Sequence, residues 1–335
     1  MERVCRASHS PAPAQVVQLE LPMYATIDKE KEVEILEEKD MRQELVRGLS
    51  PIYLDGHSDS KNVAVLRRPI RRRRIVFGWY GGKFNHLDWL LPLLPYTHCY
   101  CEPFSGSAAV LLNRAASPVE TYNDIDGEVV NFFRMLRDCS DDLIRVIALT
   151  PFSREEFHLA INGSKRGISD VERARRFYVR ARQARTGLAQ TATLGRWANC
   201  KNTSRAGMSG VVSRWLGGVE VLQDIAERLL RVQIENRPAV EVIRLYDSAD
   251  TLFYCDPPYL HMTRGDSNAY GFEMDVDQHY QLSQVLKECV GKVAISGYRC
   301  DIMDNWYKEW RRFDAPVKQC HSIKQPRQEC LWMNH

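Results

Sequence analysis

The stretch FYCDPPYL, residues 253–260, sets a carboxylate, two prolines and an aromatic ring directly after an apolar run. Prolines 257 and 258 have no backbone N–H and hold φ near about −65°, so a strand through Phe253 and Tyr254 must stop there. Asp256, Pro257, Pro258 and Tyr259 then form a stiff corner at the carboxyl end of a strand, the place where open α/β sheets bind ligands. Such a corner suits a flat molecule with polar edges. The acid and the proline carbonyls accept hydrogen bonds, and the ring offers a stacking face.

Two earlier stretches carry compatible chemistry. In FGWYGGKF, residues 77–84, Gly81 and Gly82 permit close backbone approach beside Trp79, Tyr80 and Lys83; by themselves paired glycines also make an ordinary turn. In CYCEPFSGSAAVLLN, residues 99–113, a strand ends at Glu102 and Pro103. A loop of small residues follows (Ser105, Gly106, Ser107 and Ala108) and then a helix start, as in folds that lay a nucleotide against backbone. About 20 residues further on, a second strand in ETYNDID ends in Asp124, where a carboxylate accepts hydrogen bonds from ribose hydroxyls. The set describes a site for an adenosine-containing cofactor. The full glycine fingerprint of a dinucleotide site is missing, and an ordinary strand–helix–strand unit would read the same without the proline corner.

The elements that must position these residues alternate. Strands are expected in THCYCEPF, VETYND, LRVQIEN, DTLFYCDPP, KVAISGY and ECLWMN. Helices are expected in DGEVVNFFRMLRD, VEVLQDIAERLLR and VDQHYQLSQVLKECV. This alternation predicts an α/β fold with a mostly parallel sheet covered on both faces. Residues 1–74 differ: a charged helix is expected over residues 28–45, then a turn-rich stretch ending in RRPIRRRR, residues 67–74. That basic end reads equally as a solvated linker or as an arm on a DNA backbone.

Residues 151–218 interrupt the alternation. Between residues 164 and 214 stand twelve Lys and Arg against only Asp170 and Glu172, a balance of +10 in a chain whose overall net charge is +3. Phe177, Tyr178, Trp197 and Trp215 are interleaved with the charges. A merely solvated helix face would carry compensating acids. The segment therefore reads as a phosphate-backbone surface with nucleic acid as partner, Arg173, Arg176, Arg180, Arg185, Arg196, Lys201 and Arg205 being its contacts. Ten cysteines without a CxxC pair and nine histidines without ligand spacing argue for reduced thiols and no metal. The most apolar run, LDWLLPLLPY, is short and broken by prolines, too short to span a membrane. A soluble, cytoplasmic protein, monomeric or weakly dimeric, is expected.

Taken in order, these motifs resemble the Dam-like family, the D12 class of DNA adenine-N6 methyltransferases. WYGGK (residues 79–83), EPFSGSA (102–108), the strand ending in Asp124, a target-recognition insertion, DPPY, AISGYRCDIMDNWY and QECLWMN follow the family pattern. The resemblance covers residues 75–335 and departs from the pattern in the N-terminal extension and at Ala108, where the family has glycine. It implies a Rossmann-like S-adenosylmethionine-dependent methyltransferase domain over residues 75–150 and 219–335, with a mainly helical target-recognition insertion at 151–218.

The resemblance further implies S-adenosylmethionine as methyl donor and a flipped adenine in double-stranded DNA as acceptor. Asp256 and the Pro257 carbonyl would accept the two amino hydrogens, and Tyr259 would stack on the base. Trp79, Tyr80, Lys83, Glu102, Phe104, Gly106, Asp124, Ile125, Asn236 and Asp256 would line the cofactor site, with Lys83 also reaching toward the base. A cognate restriction endonuclease is a partner the resemblance allows. Cytosine-N4 methylation uses the same amine chemistry, more often with serine in place of Asp256. A catalytically silent DNA-binding module is the alternative from another class.

Overall fold

The computed structural model describes residues 73–185, 192–201, 203–205, 207–263, 271–316 and 328–335, all within a unit spanning residues 69–335. The expected helix at 28–45 and the first part of the basic run lie outside the described residues.

Seven strands form one sheet: β1 (Cys99–Glu102), β2 (Val119–Asn123), β5 (Val232–Glu235), β6 (Thr251–Cys255), β7 (Lys292–Tyr298), β8 (Arg311–Asp314) and β9 (Glu329–Met333). A separate antiparallel pair, β3 (Ser204–Arg205) and β4 (Met208–Ser209), lies in the basic segment. The sheet order is β5-β2-β1-β6-β7-β9-β8. The first five strands pair in parallel, while β9 is antiparallel to both β7 and β8. This is the mixed α/β architecture the alternation predicts. The six expected strands form; β8 is an additional one, a polar edge strand of sequence RRFD. Charged edge strands resist pairing with another chain but lack the apolar alternation by which sequence reveals a strand.

Sheet residues alternate between two cores, because successive side chains point to opposite faces. Leu252, Tyr254, Ala294, Leu331 and Met333 enter one; Phe253, Cys255, Val293, Ile295, Cys330 and Trp332 enter the other. Eleven α-helices lie among the described residues: α1 (Leu87–Leu90), α2 (Ala109–Asn113), α3 (Gly127–Asp138), α4 (Ser140–Ala148), α5 (Arg154–Asn162), α6 (Asp170–Gln183), α7 (Gly210–Val219), α8 (Leu222–Leu229), α9 (Ala239–Tyr246), α10 (Val276–Glu288) and α11 (Asp301–Trp306). The first core takes α3, α4, α6 and α8 through Phe132, Phe133, Leu143, Phe177 and Ile225. The second takes α9 and α10 through Val242, Ile243, Leu282 and Leu286.

Four of the described helix starts carry a side-chain cap. Asp126 caps α3 by accepting from the Glu128 N–H, Ser169 caps α6, and Asp275 with Gln278 closes a reciprocal capping box at α10. The single helix expected over VEVLQDIAERLLR is divided, since α7 ends at Val219 and α8 begins at Leu222.

Candidate active site

The chain leaves β1 toward β2 on one side of the sheet, and β6 begins the other side. That reversal opens a crevice at the carboxyl ends of β1 and β6. A cavity of about 790 Å³ lies there. It is lined by Trp79–Lys83, by the loop after Glu102, by Asp124 and Ile125, and by Tyr254, Asp256 and Pro258; α9 and α10 supply its far wall through Val240, Tyr280 and Leu282. Asp256 and the loop after Glu102 therefore share one cavity.

The small-residue loop is tied to the end of β2. Ser105 N–H donates to the Asn123 carbonyl at 2.9 Å, and Gly106 N–H donates to Asp124 Oδ2 at 2.8 Å. The Tyr122 hydroxyl donates to the Gly106 carbonyl at 2.9 Å. Gly106 has φ +49°, and a Cβ there would fall 2.5 Å from Trp79 Nε1. Only glycine permits both. Ala108 also takes a left-handed conformation, φ 56°, and is fully buried.

Both carboxylates beside this loop are strained toward protonation. Burial raises Glu102 to about 8, against the opposing hydrogen bond from Tyr100 (OH to Oε1, 2.6 Å) and the nearby Arg114 charge. Burial raises Asp124 to about 6, with the Asp126 and Gly106 N–H groups pulling it down. A ligand bringing positive charge to Glu102 or hydroxyl donors to Asp124 would relieve part of that desolvation.

At the proline corner, the buried Lys83 turns toward Asp256. Its Nζ lies 2.7 Å from Asp256 Oδ1 and 2.8 Å from Oδ2, donates to the Gly81 carbonyl at 2.7 Å, and stands 3.5 Å from Glu329 Oε1. Burial works to lower the Lys83 pKa, but Asp256 and Glu329 outweigh it and the ammonium titrates above its usual range. Asp256 is raised to about 6 by burial, with Lys83 opposing and Glu329 reinforcing. Tyr259 donates its hydroxyl to Glu329 and, at 3.2 Å, to Asp256. The Pro258 carbonyl is 2.8 Å from Nε2 of the buried His279 on α10. A carbonyl only accepts, so Nε2 carries the proton in that contact.

Among the sequence-predicted residues, Trp79, Tyr80, Lys83, Glu102, Phe104, Gly106, Asp124, Ile125 and Asp256 meet around the cavity. Asn236 does not line it. Its side chain donates to the Asp124 and Ile125 carbonyls at 2.8 and 3.3 Å, bracing their turn from outside. Pro257 and Tyr259 line a small separate hollow with Ser296, Tyr298 and Met303, and Tyr259 is only 5% exposed. Lys83, expected to reach toward base or cofactor, is held by acids in the interior rather than offered at the surface.

The basic segment divides. Arg173 pairs with Glu128 and Asp170, Arg176 with Glu172, and Arg180 with Glu128. The neighbouring Arg175 bridges Glu156 and Glu172. The compensating acids that a local charge count missed come partly from α3 and α5, which pack beside α6. Arg185, Arg196, Lys201 and Arg205 instead stand exposed or half-exposed at and before the β3–β4 pair, with Arg185 donating to Asn199.

Sequence reasoning assigned no role to Glu329 or His279. For Glu329 a signal existed. It opens an otherwise apolar strand, ECLWM, in step with Leu331 and Met333, and therefore faces the same core as they do.

Residues 79–325 match the family model of the D12 class N6 adenine-specific DNA methyltransferases. The chain is 25% identical over 221 residues to a DNA N-6-adenine-methyltransferase of Escherichia phage P1, which covers 64% of this chain but 28% of that protein. It is also 25% identical over 250 residues to a type II methyltransferase of Lactococcus lactis subsp. cremoris, covering 69% of this chain and 84% of the relative. The chain thus spans little more than a quarter of the phage protein's length.

Proposed function

The chain belongs to the D12 class of N6 adenine-specific DNA methyltransferases, and on that footing we propose that it methylates the N6 amine of an adenine extruded from double-stranded DNA, with S-adenosylmethionine as donor. The observation that carries this reading is the shared cavity, which joins Asp256 at the end of β6 to the Glu102–Gly106 loop at the end of β1.

The residues present suit an adenosine-containing cation. The backbone at Gly106 can be approached without a side chain intervening, and Asp124 has lone pairs left after accepting from two N–H groups. Glu102 is a buried acid that a ligand ammonium would satisfy. Bound there, S-adenosylmethionine supplies a methyl group on a cationic sulfur that departs with the electrons of the broken S–CH3 bond.

The chain's task is to make the adenine amine a nucleophile. Its lone pair is delocalised into the ring. An Asp256 oxygen accepting one amino hydrogen, with a proline carbonyl accepting the other, draws the nitrogen toward tetrahedral geometry and frees the lone pair. That second acceptor is assigned to Pro257, which lines the separate hollow in this structure; the Pro258 carbonyl lines the cavity and accepts from His279 but keeps one lone pair. As the N–CH3 bond forms, positive charge grows on nitrogen and the carboxylate stabilises it, after which one amino proton passes to the Asp256 oxygen that accepts its hydrogen bond and from there to water. This is oxyanion-hole logic with the signs reversed. Asp256 at this corner favours adenine over cytosine. Tyr259, buried in this structure, becomes a stacking partner only if its hollow opens.

The exposed cations around β3 and β4 are assigned to the DNA backbone, while the arginines of α6 build the insertion itself. Residues 151–218 serve as the target-recognition segment in this reading. Incubating the protein with labelled S-adenosylmethionine and DNA, then analysing digested nucleosides by mass spectrometry, tests it. N6-methyladenine is expected. N4-methylcytosine, or no labelled base at all, would overturn it.

A further inference from the structure

Glu329 is the one buried acid at the proline corner to which neither the sequence motifs nor the mechanism gives a task. It sits at the first position of β9, directly opposite Tyr298 of β7, and is 7% exposed. Two groups that also hold Asp256 turn toward it, the Lys83 ammonium at 3.5 Å and the Tyr259 hydroxyl.

We propose that Glu329 is a positioning residue for methyl transfer, dividing the attention of Lys83 and Tyr259 so that the corner carries a net negative charge and Asp256 keeps a free lone pair toward the cavity. The inference rests on the reading of Asp256 as the acceptor of the adenine amino hydrogen. Lys83 and Asp256 alone make a neutral pair, and a neutral pair stabilises a developing cation poorly. Adding Glu329 gives two carboxylates and one ammonium, a formal charge of −1 where the nitrogen becomes positive. The Tyr259 hydroxyl has a single proton. It lies closer to Glu329 than to Asp256 Oδ1, which leaves Oδ1 less encumbered.

The groups facing Asp256 are few. Lys83 comes from the helical turn Lys83–His86, Glu329 from β9, Tyr259 from the corner itself, Tyr254 and Cys255 from β6 and Glu102 from β1. Tyr298 of β7 faces Lys83. Glu329 raises Asp256, and Glu102 interacts with it across the cavity.

Glu329→Gln keeps the shape and the hydrogen-bonding capacity and removes the charge. Its single-turnover methylation rate is expected to fall about 10- to 100-fold, with the KM for S-adenosylmethionine moving less than about threefold. The acid limb of its pH–rate profile should move to lower pH, because the charge that holds Asp256 up is gone. Glu329→Asp should recover part of both effects. A catalysis-independent arm follows the Asp256 carboxyl by NMR in protein carrying 13C-labelled aspartate, assigned with Asp256→Asn. Its titration should fall in Glu329→Gln.

A variant with wild-type rate and an unmoved acid limb would overturn the proposal. So would parallel losses of rate, cofactor affinity and thermal stability with the Asp256 titration unchanged, which is the pattern of a purely structural residue. If wild-type protein methylates no adenine, the reaction reading fails on its own. The NMR arm still decides whether Glu329 sets the charge at Asp256.

Discussion

The indole of Trp79 lies so close to Gly106 that a Cβ at position 106 would fall 2.5 Å from its Nε1 and 2.7 Å from its Cδ1. The glycine is therefore doubly fixed, by this contact and by its positive φ. Gly106→Ala must displace the indole or the loop, and either movement alters the cavity wall. A stability loss of about 1–3 kcal/mol in thermal unfolding is expected, since left-handed strain and overpacking add. S-Adenosylmethionine affinity by calorimetry should fall at least about tenfold. Unchanged affinity would separate this loop from the cofactor site.

Asp256→Asn tests the acceptor. Methyl transfer is expected to fall by about 1,000-fold or more, while circular dichroism and cofactor binding stay near wild type. In the wild-type protein, burial sets Asp256 near 6, so the carboxylate is present at neutral pH and lost below. The rate should drop about tenfold per pH unit on the acid side. A flat profile from pH 5 to pH 8, pH values chosen as about one to two units either side of the titration, would remove Asp256 from the rate-determining chemistry.

Glu102, raised to about 8, is largely protonated in the ligand-free protein at neutral pH. A bound ammonium should ionise it and release a proton, visible as a dependence of the calorimetric heat on the buffer's ionisation enthalpy. Glu102→Gln should abolish most of that dependence. The same shift acts on stability. An acid whose folded pKa lies above its unfolded value of 4.5 favours the folded state at low pH and loses that contribution as pH rises toward about 8. The ligand-free wild type should lose stability across that window, and Glu102→Gln should lose less.

The two sets of basic residues should separate experimentally. Replacing Arg196, Lys201 and Arg205 by glutamine is expected to reduce the slope of log affinity for DNA against log salt by about 2–3. Arg175→Ala should leave that slope nearly unchanged. It should cost about 1–3 kcal/mol of stability, because Glu156 and Glu172 lose a half-buried partner. The reverse pattern in filter-binding and unfolding assays would place the DNA surface on α6.

Where local chemistry decided the outcome, sequence was a good guide. Prolines 257 and 258 end β6 after Cys255, Asp126 starts α3, and KVAISGY forms β7 over Lys292–Tyr298. The meeting of Glu102 and Asp256 at one cavity followed from two strand ends and a reversal of strand order. Non-local chemistry was harder to read. The partners of Arg173 and Arg180 include Glu128, 45 and 52 residues away, which no count inside the segment could reveal. The edge strand β8 carries almost no apolar pattern. Glu329 and His279 acquire meaning only once β9 and α10 are packed against the corner.

The charged trio at that corner is assembled from remote points of the chain. Lys83 and Asp256 are 173 residues apart, and Tyr259 and Glu329 a further 70. A ribosome delivers the lysine first, the aspartate later and the glutamate with β9, the last of the described strands to be made. A nascent chain lacking that strand would hold an acid cancelled by its lysine. On the proposed role of Glu329, the full negative charge of that corner would then arrive only with β9, and a chain lacking that strand would transfer methyl groups slowly at best.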